Sequence, residues 1–164
     1  MKNSGNCPLF IILNNATIIF NTSFLFYYYM KISQKMQGLM EELKKLNLPK
    51  DEFSVFGSGP IAIRGLKEPG DLDIIVTENL WNKLKQIYTL VKKQNYEYLT
   101  INGIDIFHDW TSPEYNLNEL IKTSDVIDGI RFVTLKTVLE WKKKRNLEKD
   151  KMDIILIQDY LTHN

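Results

Sequence analysis

Residues 53–76 read FSVFGSGPIAIRGLKEPGDLDIIV, and the fold turns on this stretch. Phe53 to Gly57 is a short apolar strand that ends on a glycine. Pro60 to Leu66 has the pattern of a short helix, with Pro60 near its first turn, where a missing N–H costs nothing. Pro69-Gly70 is a turn signal. DLDIIV is then a second strand. Asp71 and Asp73 lie two apart on it and so point to one face, while Leu72 and Ile74 point the other way, into a core.

Two carboxylates held side by side repel by about 4 kcal/mol at ~4 Å and an effective dielectric near 20. A proton or a cation between them relieves that cost. Mg²⁺, or Mn²⁺, suits two hard oxygen donors and leaves coordination positions for phosphate. No His or Cys cluster nearby would favour zinc. The glycines upstream add a second element. Gly57 lets the chain turn sharply, Gly59 admits a close approach, and Ser58 offers a hydroxyl at the start of a helix, where the dipole favours an anion. Gly57, Ser58 and Gly59 are therefore candidate phosphate-binding residues. Asp105, in GIDIFHDW, shares a strand face with Phe107, and Ile104 and Ile106 take the other. If that strand lies beside DLDIIV, Asp105 joins Asp71 and Asp73 as a third metal ligand and a proton acceptor.

Outward from this stretch, Ile32, Met36, Leu39, Met40, Leu43 and Leu46 recur at helical spacing. Leu48-Pro49 stops that helix. Thr77 caps a predicted helix through about Lys93, with Leu80, Trp81, Leu84, Ile87, Tyr88 and Val91 as its stripe. Asn102-Gly103 between two apolar runs is a hairpin signal. A helix over Leu117–Lys122, a strand over Ile130–Val133, and two helices over Thr134–Arg145 and Glu148–Leu161 complete the pattern. The expected class is α/β, or α+β: a small mixed sheet with helices packed on one side and two C-terminal helices.

The length of 164 residues fits one domain, and a net charge of +1 gives no bulk reason to expect nucleic acid or a membrane surface. Cys7 is the only cysteine, which suits a reducing cytoplasm. Between Lys2 and Lys31 there is no charged residue. Residues 1–29 therefore read as an uncharged apolar extension, open to three readings: sequence upstream of a true start at Met30, a membrane anchor, or an added piece of the fold. Residues 30–164 are the expected domain. Asn14, Asn15 and Asn21 interrupt the apolar run.

Each sharp reading has a plain one beside it. An Asp-x-Asp pair is commonly a surface pair, and Ser58 serves equally as a helix cap. Lys142–Arg145 has the look of a solvated helix face. Lys149 and Asp153, four apart, can pair on a helix surface. Alternation turns His108 away from Asp105. Trp81, Trp110 and Trp141 read as core or rim aromatics.

Taken together, these parts resemble the nucleotidyltransferase superfamily, the fold of polymerase β and kanamycin nucleotidyltransferase. Its motif is a strand ending in Gly-Ser, a spacer of the length from Gly59 to Gly70, acid–apolar–acid–apolar as in Asp71-Leu72-Asp73-Ile74, and a later acid such as Asp105. The C-terminal Lys149-Asp150 and Asp153-Ile154, after a Lys/Arg-bearing helix, is similar to the tail of small prokaryotic members. Arg64-Gly65 stands where many of those carry Arg-Ala-Arg-Gly.

The resemblance implies transfer of a nucleoside monophosphate from a nucleoside triphosphate to an acceptor hydroxyl, using two Mg²⁺ or Mn²⁺ ions. Asp71, Asp73 and Asp105 would hold the ions, and Gly57 and Ser58 the β- and γ-phosphates. Arg64, Lys142 and Lys149 would be further phosphate partners. The acceptor stays open between a small molecule, a protein and RNA. The alternative is a catalytically silent relative that binds a nucleotide or a protein partner, as in a toxin–antitoxin pair.

Overall fold

A computed structural model of the chain describes residues 10–13, 16–19, 32–93, 95–108 and 115–164. Strands β1 (Phe10–Leu13) and β2 (Ala16–Ile19) form a two-stranded antiparallel sheet of their own. The rest of residues 1–29, and with it the choice between an anchor and upstream sequence, lies outside the described residues. So do Asp109 and Trp110. No helix among the described residues is long and apolar enough to cross a membrane.

Helix α1 (Gln34–Lys45) starts where the Ser33 hydroxyl accepts from Met36 N–H, and it ends on Lys44 and Lys45, which suit the negative end of the helix dipole. Its Met36, Met40 and Leu43 are buried. Strand β3 (Phe53–Val55) follows, then the single turn α2 (Gly59–Ala62) and strand β4 (Leu72–Val76). Helix α3 (Glu78–Leu84) is capped by Thr77.

Here the chain departs from the expected helix through Lys93. It turns after Leu84, and Leu90–Lys92 becomes strand β5, paired antiparallel to β6 (Glu97–Ile101). Ile87 is 72% exposed, so the helical stripe has lost its core partner by that point. Strand β7 (Ile104–Phe107) completes a hairpin with β6. Asn102 and Gly103 both have positive φ, as a two-residue turn of this kind requires. Helix α4 (Leu117–Lys122) leads to a second hairpin, β8 (Asp125–Ile127) with β9 (Ile130–Phe132), turning at Asp128-Gly129. Helix α5 (Leu135–Arg145) ends at Asn146 in the left-handed conformation, and a turn at Glu148–Asp150 enters α6 (Lys151–His163).

The sheet order is β5-β6-β7-β4-β3-β9-β8, with β4–β7 and β3–β9 parallel and the other pairs antiparallel. The mixed α/β class and the pair of C-terminal helices are as expected. Leu72, Ile74 and Val76 pack with Leu99, Ile104 and Ile106 against α1 and α3. That is the anticipated helical layer. Ile75 belongs to a second cluster with Ile121, Val138 and Ile157, which brings α4, α5 and α6 to the opposite face. Asp73 alternates with Leu72 and Ile74, so the acids share the side of this second cluster. The C-terminal helices therefore stand next to the carboxylates.

A three-carboxylate cleft as candidate active site

The register of β4 on β7 decides the site. Asp73 sits directly opposite Asp105, with Leu72 opposite Ile104 and Ile74 opposite Ile106. Asp71 precedes β4 by one residue and points the same way as Asp73. One oxygen from each of Asp71, Asp73 and Asp105 lies within 4.8 Å of the other two. The three sequence-expected ligands thus converge, from two adjacent parallel strands.

Their electrostatics reflect that crowding. Burial, reinforced by the charges of Asp71 and Asp105, raises the Asp73 carboxyl to about 7, with Lys142 and Lys149 pulling the other way. Burial also raises Asp105. A hydrogen bond from Thr100, its partner on β6, and the charge of Lys93 offset part of that rise, while Asp71 adds to it.

The glycine turn abuts the acids. Gly57 has φ +62°, and a β-carbon there would run into Asp73 Oδ2 and lie 3.2 Å from its Cγ. Phe56 N–H donates to Asp73 C=O at 2.9 Å, which ties this turn to β4. Gly59 has a different task from admitting a ligand. It is buried, and a β-carbon would collide with Val55 and meet Leu72 at 3.2 Å, so the glycine allows α2 to press against β3 and β4. Its N–H donates to Phe56 C=O at 3.1 Å. Ser58 is half-buried at the N-terminus of α2, and its side chain makes no capping bond there.

The expected cationic residues separate into two groups. Arg64 donates to Pro60 C=O at 2.8 Å and pairs with Asp125 at 2.6 Å, so it fastens α2 to β8. Lys142 is buried and bridges Asp150 at 3.0 Å and Asp153 at 2.8 Å. Arg145 grips Asp150 with two further bonds, and Lys67 pairs with Asp153 at 2.7 Å. Burial alone would raise Asp150 and Asp153, but their cationic partners hold both below the usual carboxylate range. This ladder runs from α5 through the start of α6 to the loop before Asp71. Asp153 is therefore engaged by Lys142 and Lys67, and Lys149 is left exposed on the cleft.

The acids lie in a cleft of about 640 Å³. One wall is the sheet, where Tyr96, Tyr98 and Phe107 line the cleft. The other is the end of α5 and the turn beyond, where Trp141, Arg145 and Lys149 do so. Arg145 lies 3.8 Å from the centre of the Trp141 ring, which in turn meets Phe56 edge-on at 4.7 Å. Trp141, expected at the core or a rim, lines the cleft, whereas Tyr96, Tyr98, Phe107 and Lys93 are not among the expected site residues. The signal for them was present, because Tyr98 and Thr100 alternate with Leu99 as Asp105 and Phe107 alternate with Ile106. His108 stacks on Trp81 at 5.5 Å and lines a separate cavity.

Comparison of the chain with protein-family models, with curated proteins and with solved structures gave no match.

Proposed function

We propose that this protein transfers a nucleoside monophosphate from a nucleoside triphosphate to an acceptor hydroxyl, in the cytoplasm. The observation that carries the proposal is the pairing of Asp73 with Asp105 across β4 and β7, with Asp71 beside them. A scaffold has no use for three mutually repelling carboxylates in a cleft. Three hard oxygen donors suit Mg²⁺ or Mn²⁺, and a carboxyl raised to about 7 is one that a cation would relieve.

Asp71, Asp73 and Asp105 would hold the cations, which when bound supply charge neutralisation for the phosphates. The remaining chemistry belongs to the chain. Lys149, exposed on the cleft, offers a cation to a triphosphate. Gly57 keeps the space beside Asp73 clear. Asp105, with its raised proton affinity, takes the proton of the acceptor hydroxyl. The acceptor oxygen bonds to the α-phosphorus, the bond from that phosphorus to the bridging oxygen breaks, and pyrophosphate leaves. Positioning and charge neutralisation account for most of the rate, as in other phosphoryl transfers.

The test is incubation of the full chain with Mg²⁺ or Mn²⁺ and each labelled triphosphate, reading pyrophosphate release and label transfer to a cell extract. The expected result is transfer by the wild type and none by Asp71→Ala/Asp73→Ala. Absence of transfer by both would leave the silent binding protein in front.

A further inference from the structure

Three aromatic rings line the cleft on the sheet side without being absorbed into the core. Tyr98 and Phe107 stack at 5.4 Å between ring centres with 21° between their planes, and Tyr96 adjoins both at 6.0 and 6.2 Å. Tyr96 is 43% exposed. Phe107 is two residues beyond Asp105 on β7, and so on the same face at a distance of roughly 7 Å. Lys93 lines the same cleft as Asp105.

From this arrangement we infer that the acceptor of the proposed transfer is a nucleotide whose base stacks on Tyr98 and Phe107. The inference rests on the nucleotidyl-transfer reading. The strand order β6-β7-β4-β3 sets the ring platform and the glycine turn on opposite sides of β4. If the donor's phosphates lie toward Gly57 and Lys149, the platform belongs to the other substrate. That substrate needs a flat ring for the platform, a hydroxyl that reaches Asp105, and an anionic group for Lys93. A base, its sugar hydroxyl and its phosphate supply these three groups in one molecule. Stacking is tolerant of base identity, because every base has a π-face. In the transfer the sugar oxygen bonds to the donor's α-phosphorus, its proton passes to Asp105, and pyrophosphate departs. A mononucleotide and the end of an RNA strand share this chemistry.

The test titrates AMP, ribose 5-phosphate and a short oligoadenylate into the full chain by calorimetry, with neither divalent cation nor triphosphate present. AMP is expected to bind at least about tenfold tighter than ribose 5-phosphate, and Tyr98→Leu/Phe107→Leu to remove that difference. The exposed Tyr96→Ser is expected to reduce it with the fold intact. Equal binding of AMP and ribose 5-phosphate, or no effect of either variant, overturns the platform. A non-hydrolysable triphosphate added with Mg²⁺ should leave AMP bound, and one-for-one displacement would assign the platform to the donor's base instead. Tighter binding of the oligoadenylate than of AMP points to an RNA end, and the reverse to a mononucleotide; either supports a base-bearing acceptor. Base-dependent AMP binding without any label transfer would keep the platform and remove the transfer reading. Transfer only to acceptors without a base would do the opposite.

Discussion

The α-carbon of Gly57 lies against the carboxylate of Asp73 so closely that a methyl group in the β position would occupy the place of Oδ2. The contact joins the end of β3 to the central acid of the cleft. Gly57→Ala therefore acts twice. It places a side chain at φ +62°, which costs about 1–2 kcal/mol. It also pushes the Asp73 carboxylate out of its place beside Asp71 and Asp105. Thermal melting should fall by roughly 2–8 °C, while nucleotidyl transfer should fall by about 100-fold or more. Wild-type transfer rates in the alanine variant would show that Asp73 does not need its present position.

Charge explains a second expectation, on the pH dependence of stability. In cation-free protein Asp73 is raised from 3.8 to about 7, and Asp105 is raised as well. The folded state therefore binds protons more tightly than the unfolded chain between about pH 4 and 7. The stability from these groups is complete below pH 4 and is lost as pH rises through 7. Urea unfolding without divalent cation should show that decline, and saturating Mg²⁺ should reverse it above pH 7. Asp150 and Asp153 have lowered values, so their contribution is lost only as pH falls below about 4. A cation-free profile that rises from pH 4 to 7 would contradict the crowding of the three acids.

The two candidate lysines should behave differently. Lys142→Met leaves Asp150 and Asp153 buried without their shared partner and should cost about 3–5 kcal/mol in urea unfolding. Lys149→Met changes an exposed residue on the cleft, so stability should stay within about 0.5 kcal/mol while transfer falls. Equal effects on stability would erase the distinction between the ladder and the cleft.

Much of the site was legible because the strand period is two. Asp71, Asp73 and Asp105 alternate with buried Leu72, Ile74, Ile104 and Ile106, and the Asn102-Gly103 turn sets Thr100 of β6 opposite Asp105. Ile87, Tyr88 and Val91 keep helical phase with Leu80, Trp81 and Leu84, so the sequence pattern carries the helix from Thr77 past its end at Leu84. Pairing of Leu90–Lys92 with β6 overrode that phase. The Asp128-Gly129 hairpin carried the same signal as Asn102-Gly103 but lacked long apolar flanks, so only β9 was expected. The ion ladder was not legible at all. Lys142, in a run of four cations, reads as solvated until α6 closes over it.

The most direct test of the account is Mn²⁺ titration by calorimetry of the full chain, alongside Asp73→Asn and Asp105→Asn. Wild-type protein should bind Mn²⁺ with release of protons near pH 6, with affinity rising through pH 7, and each variant should lose most of that binding. Absence of binding by the wild type, or equal binding by the asparagine variants, would contradict the claim that these carboxylates are built around a cation.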